Sequence, residues 1–223
     1  MITVVMLNFA RPRNALFNLQ TYSSYRIVKD ILCFNNGAPL PPGTRLPRKC
    51  VLMEASKDLG LYSRFAAASL ATTEAVFHTD DDLIAPEKTL ETLYSYWSRA
   101  KSSCHGLYGR VAYPTYNFGN VFGPVEVLLT RALMCSRRVN NIALSATDLF
   151  NDLAGKPRGN GEDIILSFAG MAASKHLNLA YRLPAKNHAG EEPFAIHRSW
   201  PDHLEHRRRV VARCRRVFFG QAA

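Results

Sequence analysis

The run Phe77-His78-Thr79-Asp80-Asp81-Asp82-Leu83 sets three consecutive carboxylates directly behind the apolar Ala75-Val76-Phe77. Three such charges cannot be buried without partners except at a large cost in free energy. The apolar residues belong in a core and the carboxylates beside something positive. With a strand over residues 73–78, successive side chains point to opposite faces, so Asp80 and Asp82 share one direction and Asp81 takes the other. Hard oxygen donors of this kind suit Mg²⁺ or Mn²⁺, which one or two carboxylates hold while phosphates complete the shell. A divalent ion bridging a diphosphate is one reading of the run. The other is an acidic turn ahead of a helix that starts near Pro86, because Asp caps helices and proline suits their first turn.

The surrounding sequence places this run in an α/β fold. Short apolar segments alternate with helical patterns: a strand over 3–7, a helix over about 14–25, and a strand over 29–34. That order predicts β-α-β units on a mostly parallel sheet. Pro39, Pro41 and Pro42 exclude regular structure before a strand over 49–53, since each removes a donor and fixes φ. A helix over 61–71, a strand over 75–78 and a helix over 86–99 follow, the last with Leu90, Leu93, Tyr94 and Trp97 at helical spacing. Asn8 with Arg11, then Asn35-Asn36, then the aspartates each close a strand, which puts them at the carboxyl edge where α/β proteins bind ligands. Neither a P-loop nor a G-x-G-x-x-G element is present, so a diphosphate here needs metal and basic side chains.

The second half reads as strands over 106–111 and 125–130 around an aromatic, glycine-rich stretch from Tyr113 to Phe122. A buried helix over 162–173 carries Ile164, Ile165, Phe168 and Met171. Its start, Asn160-Gly161-Glu162-Asp163, serves either as an electrostatically favourable helix end or as a site. With 223 residues, 47% of them hydrophobic and 21% charged, the chain can bury one sizeable core as a single soluble domain. Residues 1–100 and 101–223 read as two halves of that one domain, different in texture and with no linker between them. Cys33, Cys50, Cys104, Cys135 and Cys214 show no disulfide or zinc spacing, which favours a reducing compartment. No apolar run reaches the roughly 18 residues of a membrane span, and the first residues lack the basic region of a signal peptide. The expected location is cytoplasmic or peripheral to the membrane. The net charge of +10 is concentrated in Arg207-Arg208-Arg209, Arg213, Arg215 and Arg216. Such a tail attracts a polyanionic acceptor, an anionic membrane, nucleic acid or a nucleotide phosphate, or is simply a solvated basic helix.

Several of these segments together resemble a known family. Val4 to Pro12, Phe34-Asn35-Asn36, Arg64 ahead of the triple aspartate, Asn160-Gly161-Glu162-Asp163-Ile164, and Trp200-Pro201-Asp202-His203-Leu204-Glu205-His206-Arg207 are similar in order and spacing to exostosin-like glycosyltransferases, the domain of glycosyltransferase family 64. The resemblance implies a GT-A type fold with a mixed, mostly parallel central sheet flanked by helices. It also implies a UDP-sugar donor, Mn²⁺ (or Mg²⁺), and transfer of a sugar such as an N-acetylhexosamine to a glycan or glycolipid with retention of configuration. By that similarity Asp82 is the direct metal ligand, Asp80 supports the site and Asp81 contacts the ribose. Arg11, Asn36 and Arg64 hold uridine or phosphate, Asn160 and Asp163 face sugar and acceptor, and Arg207 binds the diphosphate. The chain departs from the family pattern at Val210, where a cysteine is common, and residues 1–223 contain no run similar to the membrane anchor of the animal proteins.

A metal and an arginine aimed at the departing diphosphate stabilise the transition state more than the ground state. Asp163 then orients the acceptor hydroxyl or steadies charge at the anomeric carbon. Retention proceeds through a covalent intermediate or by same-face attack assisted by the phosphate, and the reading leans to the second. His78, His176 and His188 read as structural or surface residues, and His203 as a second phosphate contact or a surface residue. Tyr108, Tyr113, Tyr116 and Phe118 read first as packing over the sheet and second as an acceptor platform. The competing functions are a Mg²⁺-dependent nucleic-acid-processing protein, disfavoured because no groove-reading motif accompanies the arginines, a transferase with inverting chemistry, and a catalytically inactive binding module.

Overall fold

The computed structural model describes residues 1–112, 114–153, 159–188 and 200–220, with side chains of 151–153 left aside. An eight-stranded mixed sheet runs in the order β3-β2-β1-β4-β10-β6-β11-β8. Its parallel half consists of β1 (Ile2–Asn8), β2 (Val28–Asn35), β3 (Cys50–Glu54) and β4 (Ala75–Asp80). Every residue of β1 is buried, as expected of a strand with neighbours on both sides and helices on both faces. Register pairs Asn8 with Asn35, Asn35 with Glu54, and Leu7 with Asp80. Four strand ends therefore line one edge of the sheet.

Helices cover both faces. Val5, Leu32, Val76, Leu133 and Cys135 face one core, beneath α2 (Ser63–Ser69), α4 (Arg137–Leu144), α6 (Glu162–Ser174) and α7 (His203–Phe219). Val4, Met6, Ile31, Phe77 and Met134 face the other, against α1 (Pro12–Ser24) and α3 (Glu87–Arg99). This two-residue alternation follows from the strand pleat. The helix α5 (Thr147–Leu153) packs beside α7.

The fold corrects several sequence expectations. The strand expected over 106–111 is two short ones, β6 (His105–Gly106) in the main sheet and β7 (Gly109–Arg110), which pairs with β9 (Val127–Leu128). The strand expected over 125–130 breaks at Glu126, between β8 (Gly123–Val125) and β9. Glu126 turns its carboxylate toward the Ala112 N–H and Arg215, a pairing it could not reach while continuing a ladder. β10 (Ala132–Ser136) goes unrecognised in the sequence although it is fully buried. It runs antiparallel to β4, pairing Ala132 with Thr79, so it begins at the edge where the parallel strands end. β5 (Leu83–Ile84) pairs with β12 (Lys186–Asn187) beyond the triple aspartate, and β11 (Asn178–Ala180) continues the main sheet.

The strand β4 ends at Asp80, and Asp81 and Asp82 form a turn. The alternation expected to align Asp80 with Asp82 stops there. The basic C-terminal segment is the helix α7, yet its Arg207, Val210, Val211 and Cys214 are buried against α6. A wholly solvated basic helix is thereby excluded. The helix expected over 61–71 is shortened to Ser63–Ser69, with Leu70 and Ala71 closing it by i→i+3 bonds.

Candidate active site

A cleft of about 570 Å³ opens at the strand-end edge, and Arg11, Asn36, Arg64, Asp80, Asp81, Asp82, Asn160, Asp163 and Arg207 all line it. The chain thus brings every sequence-expected site residue to one place. Tyr116, Phe118 and His203 line it as well, whereas Tyr113 lies outside the described residues.

Each carboxylate of the triple aspartate meets an arginine. Asp80 Oδ1 accepts from Arg64 Nη2 at 2.8 Å, Asp81 Oδ1 from Arg11 Nη1 at 2.8 Å, and Asp82 Oδ1 from Arg131 Nη2 at 3.2 Å. Asp80 and Asp82 remain open to the cleft, with side chains 35% and 28% exposed. Asp81 is buried, and burial outweighs Arg11 to push its carboxyl up to about 7, helped by Asp80 and Asp82. The turn itself is held by Asn18 of α1, whose Nδ2 donates to the carbonyls of Asp81 at 3.2 Å and Leu83 at 3.1 Å. Its Oδ1 pairs with His188 Nε2 at 2.8 Å, and the His188 N–H donates to the Asp82 carbonyl. Asn18 is invisible to motif reading because it sits mid-helix among ordinary helical residues; only its polarity on a buried face could have marked it.

Asn8, Asn35 and Asn36 behave as braces at the strand ends. Asn8 Nδ2 donates to Asn35 Oδ1 and to the Ala38 carbonyl, both at 2.8 Å. Asn36 donates to Asp58 Oδ1 at 2.6 Å and accepts from the Leu59 N–H at 2.7 Å, which shapes the loop forming one wall. Arg64 is buried beneath the cleft, with its Nη1 on the Thr130 carbonyl at 3.3 Å and its Nε 4.0 Å from Glu162 Oε1.

The opposite wall comes from the start of α6 and the first turns of α7. Gly161 takes φ +114°, and a Cβ there would lie 3.1 Å from Val210. Glycine is needed both for the backbone and for the close approach of the helices. Asp163 Oδ2 accepts from Arg207 Nη2 at 2.5 Å, and its Oδ1 accepts from the Ile164 N–H at 2.9 Å. Arg207 Nη1 donates to Asn160 Oδ1 at 3.2 Å, and the guanidinium carbon lies 4.6 Å from the Tyr116 ring centre. Burial opposes the charge on Arg207, but Asp163 and its neighbours outweigh that and raise its pKa. Glu162 accepts from Thr130 Oγ1 at 2.8 Å; burial and then Asp163 push its carboxyl up to about 7, against Arg64 and that hydrogen bond. His203 is buried and stacked 5.4 Å from Phe118 rather than lying on the surface. His78 is buried with neither ring nitrogen hydrogen-bonded, consistent with a neutral structural residue. Tyr116 lines the cleft while buried in the core that covers one sheet face, and Phe118, 44% exposed, stands over the cleft.

The paired carboxylates, the buried Asp163–Arg207 unit and the strand-end location can be set beside known proteins. No curated protein matches the chain. Among solved structures, a mannosyltransferase from Pyrobaculum calidifontis in complex with GDP-Man and Mn²⁺ superposes with a TM-score of 0.57 at 14% identity, over 86% of this chain and 58% of that one. The chain thus spans 58% of the length of that enzyme. TarS residues 1–349 from S. aureus superposes with a TM-score of 0.56 at 12% identity, over 98% of this chain and 72% of that one. These likenesses show a shared fold. The glycosyl transferase family 64 domain matches residues 2–221, and the chain belongs to that family.

Proposed function

We propose that this chain is a GT-A type, metal-dependent glycosyltransferase that moves a sugar from UDP to a glycan or glycolipid acceptor with retention of configuration. The observation that carries the reading is the convergence in one cleft of two open carboxylates, Asp80 and Asp82, with the buried Asp163–Arg207 pair across from them. Among the described residues no group of three His, Cys, Asp or Glu side chains is assembled for a metal. Two hard-oxygen carboxylates on a cleft nonetheless fit Mn²⁺ or Mg²⁺, whose shell a diphosphate completes. When bound, such an ion neutralises charge developing on the leaving diphosphate.

The protein's own groups divide the remaining work. Arg207, kept charged by Asp163, aims a fixed cation at the bond that breaks, and a preorganised charge costs no reorganisation during reaction. Each Asp163 oxygen already holds a hydrogen-bond partner. That supports same-face attack assisted by the departing phosphate over a covalent enzyme intermediate, with Asp163 steadying positive charge at the anomeric carbon. Asn160 sits beside Arg207 to meet the sugar. Arg11 and Asn36 border the nucleotide, Asp81 faces the ribose, and Arg64 acts on phosphate through its hold on Asp80. The nucleotide-binding half is assigned to residues 1–100 and the acceptor half to 101–223. Arg208, Arg209 and Arg216 lie on the exposed face of α7, which suits an anionic acceptor or a peripheral anionic membrane. Among the described residues no helix is long and apolar enough to cross a membrane.

Calorimetric titration of UDP and, separately, GDP, with and without Mn²⁺, tests the reading. UDP binding that requires both Mn²⁺ and Asp82 supports it, and Asp82→Ala abolishes that dependence. Preference for GDP overturns the donor assignment, and binding of neither overturns the site.

A further inference from the structure

The two carboxylates that face the cleft are each held by an arginine, but in different ways. Arg64, 2% exposed, is tied to the Leu61 and Thr130 carbonyls as well as to Asp80, so it cannot leave. Arg131 sits in the turn before β10, with its side chain 26% exposed. Its Nη2 reaches Asp82 Oδ1 at 3.2 Å and Asn187 Oδ1 at 3.0 Å, and its guanidinium carbon lies 5.0 Å from the Tyr108 ring centre. Arg11 also stands 3.7 Å from Asp82 Oδ2, but its Nη1 is committed to Asp81 at 2.8 Å.

Arg131 lines the cleft together with Asp82 and occupies one of its carboxylate oxygens, Oδ1. A guanidinium and a divalent ion on one carboxylate repel each other at a few ångströms. The present pair is partly exposed and correspondingly weak. A diphosphate offers a guanidinium a better partner, since its oxygens match the planar donor fork.

We propose that Arg131 is a built-in counter-cation of Asp82, which yields that carboxylate to a divalent ion when a diphosphate is present to receive its guanidinium. This rests on the reading of Asp80 and Asp82 as the metal-binding carboxylates. Ion and diphosphate then load together, and by linkage each tightens the other by the same factor. Such coupling keeps the cleft from holding a bare ion, and it places a second arginine, opposite Arg207, on the leaving group.

Mn²⁺ binding, followed by enhancement of water-proton relaxation with and without UDP or GDP, tests the proposal on the wild type, Arg131→Gln and Asn187→Ala. Arg131→Gln is expected to bind Mn²⁺ alone roughly tenfold more tightly, because a repelling charge at the ligand is gone. The factor by which the nucleotide tightens Mn²⁺ falls by a similar amount. Asn187→Ala keeps both charges but removes the tether, so it shifts both quantities the same way by less, which separates the effect from misfolding. Unchanged Mn²⁺ affinity in Arg131→Gln, or an unchanged nucleotide factor, overturns the proposal while leaving the site reading intact. Wild-type protein that binds no Mn²⁺ with either nucleotide overturns both.

Discussion

Arg207 Nη2 lies 2.5 Å from Asp163 Oδ2, and both side chains are 5% exposed, so the two helices α6 and α7 are joined by an ion pair removed from water. Removing one partner leaves the other charged and buried, which costs about 3–5 kcal/mol. Arg207→Ala is expected to lose that much stability in urea unfolding. Arg207→Lys keeps the charge and recovers part of the stability but little of the transfer rate, because an ammonium cannot reproduce the fork that spans Asp163 and Asn160.

The amide of Asn18 holds the Asp81–Leu83 turn through two backbone carbonyls. Asn18→Ala leaves those buried acceptors without their donor, a loss of about 1–3 kcal/mol. Because the turn aims Asp82, the same variant is expected to weaken Mn²⁺-dependent UDP binding more than metal-independent binding. Calorimetry with and without the ion checks this.

Glu162 carries its carboxyl at about 7 in the folded chain, against an ordinary 4.5. The folded state thus keeps a proton that the unfolded state releases, and stability falls as pH rises from about 4.5 to 7. Glu162→Gln, which retains an oxygen for Thr130, removes that slope. The variant is expected to match the wild type near pH 4.5 and to exceed it at pH 8 by about 3 kcal/mol, taking roughly 1.4 kcal/mol per pH unit. Denaturant midpoints at the two pH values decide it, and a variant less stable at pH 8 contradicts it.

Gly161 holds φ +114°, with Val210 3.1 Å from where a Cβ would stand. Gly161→Ala meets both the backbone penalty and the packed helix, at a cost of about 1–3 kcal/mol. Asp163 follows two residues later, so activity is expected to fall further than stability alone accounts for. Comparing turnover with the folded fraction at the same temperature separates the two.

The residues that look outward from strand ends are legible in the amino-acid sequence, because local patterns carry them. Alternating apolar segments with helical spacing between them specify parallel β-α-β units. Polar residues behind buried strands then specify which sheet edge holds the chemistry. That logic places Asn8, Asn36 and the three aspartates, and apolar spacing next to a glycine and two carboxylates places the early part of α6. The triple aspartate as a pattern does not say which cation each carboxylate meets, since Arg11, Arg64 and Arg131 reach it from 16 to 70 positions away in the chain.

The chain's own order of residues determined the α/β class, the strand-end edge and the carboxylates on it, because those follow from periodicities of two and 3.6 residues. Only the tertiary structure decided that β10 returns antiparallel beside β4, which delivers Thr130 and Arg131 to the edge where the parallel strands stop. It also decided that the basic C-terminal helix turns Arg207 inward onto Asp163 while Arg208, Arg209 and Arg216 stay outside. A strand's direction and a helix's rotation are set by the surfaces available to bury them. Those surfaces come from segments distant in the sequence, and the free energy of burying apolar area carries no record of chain order.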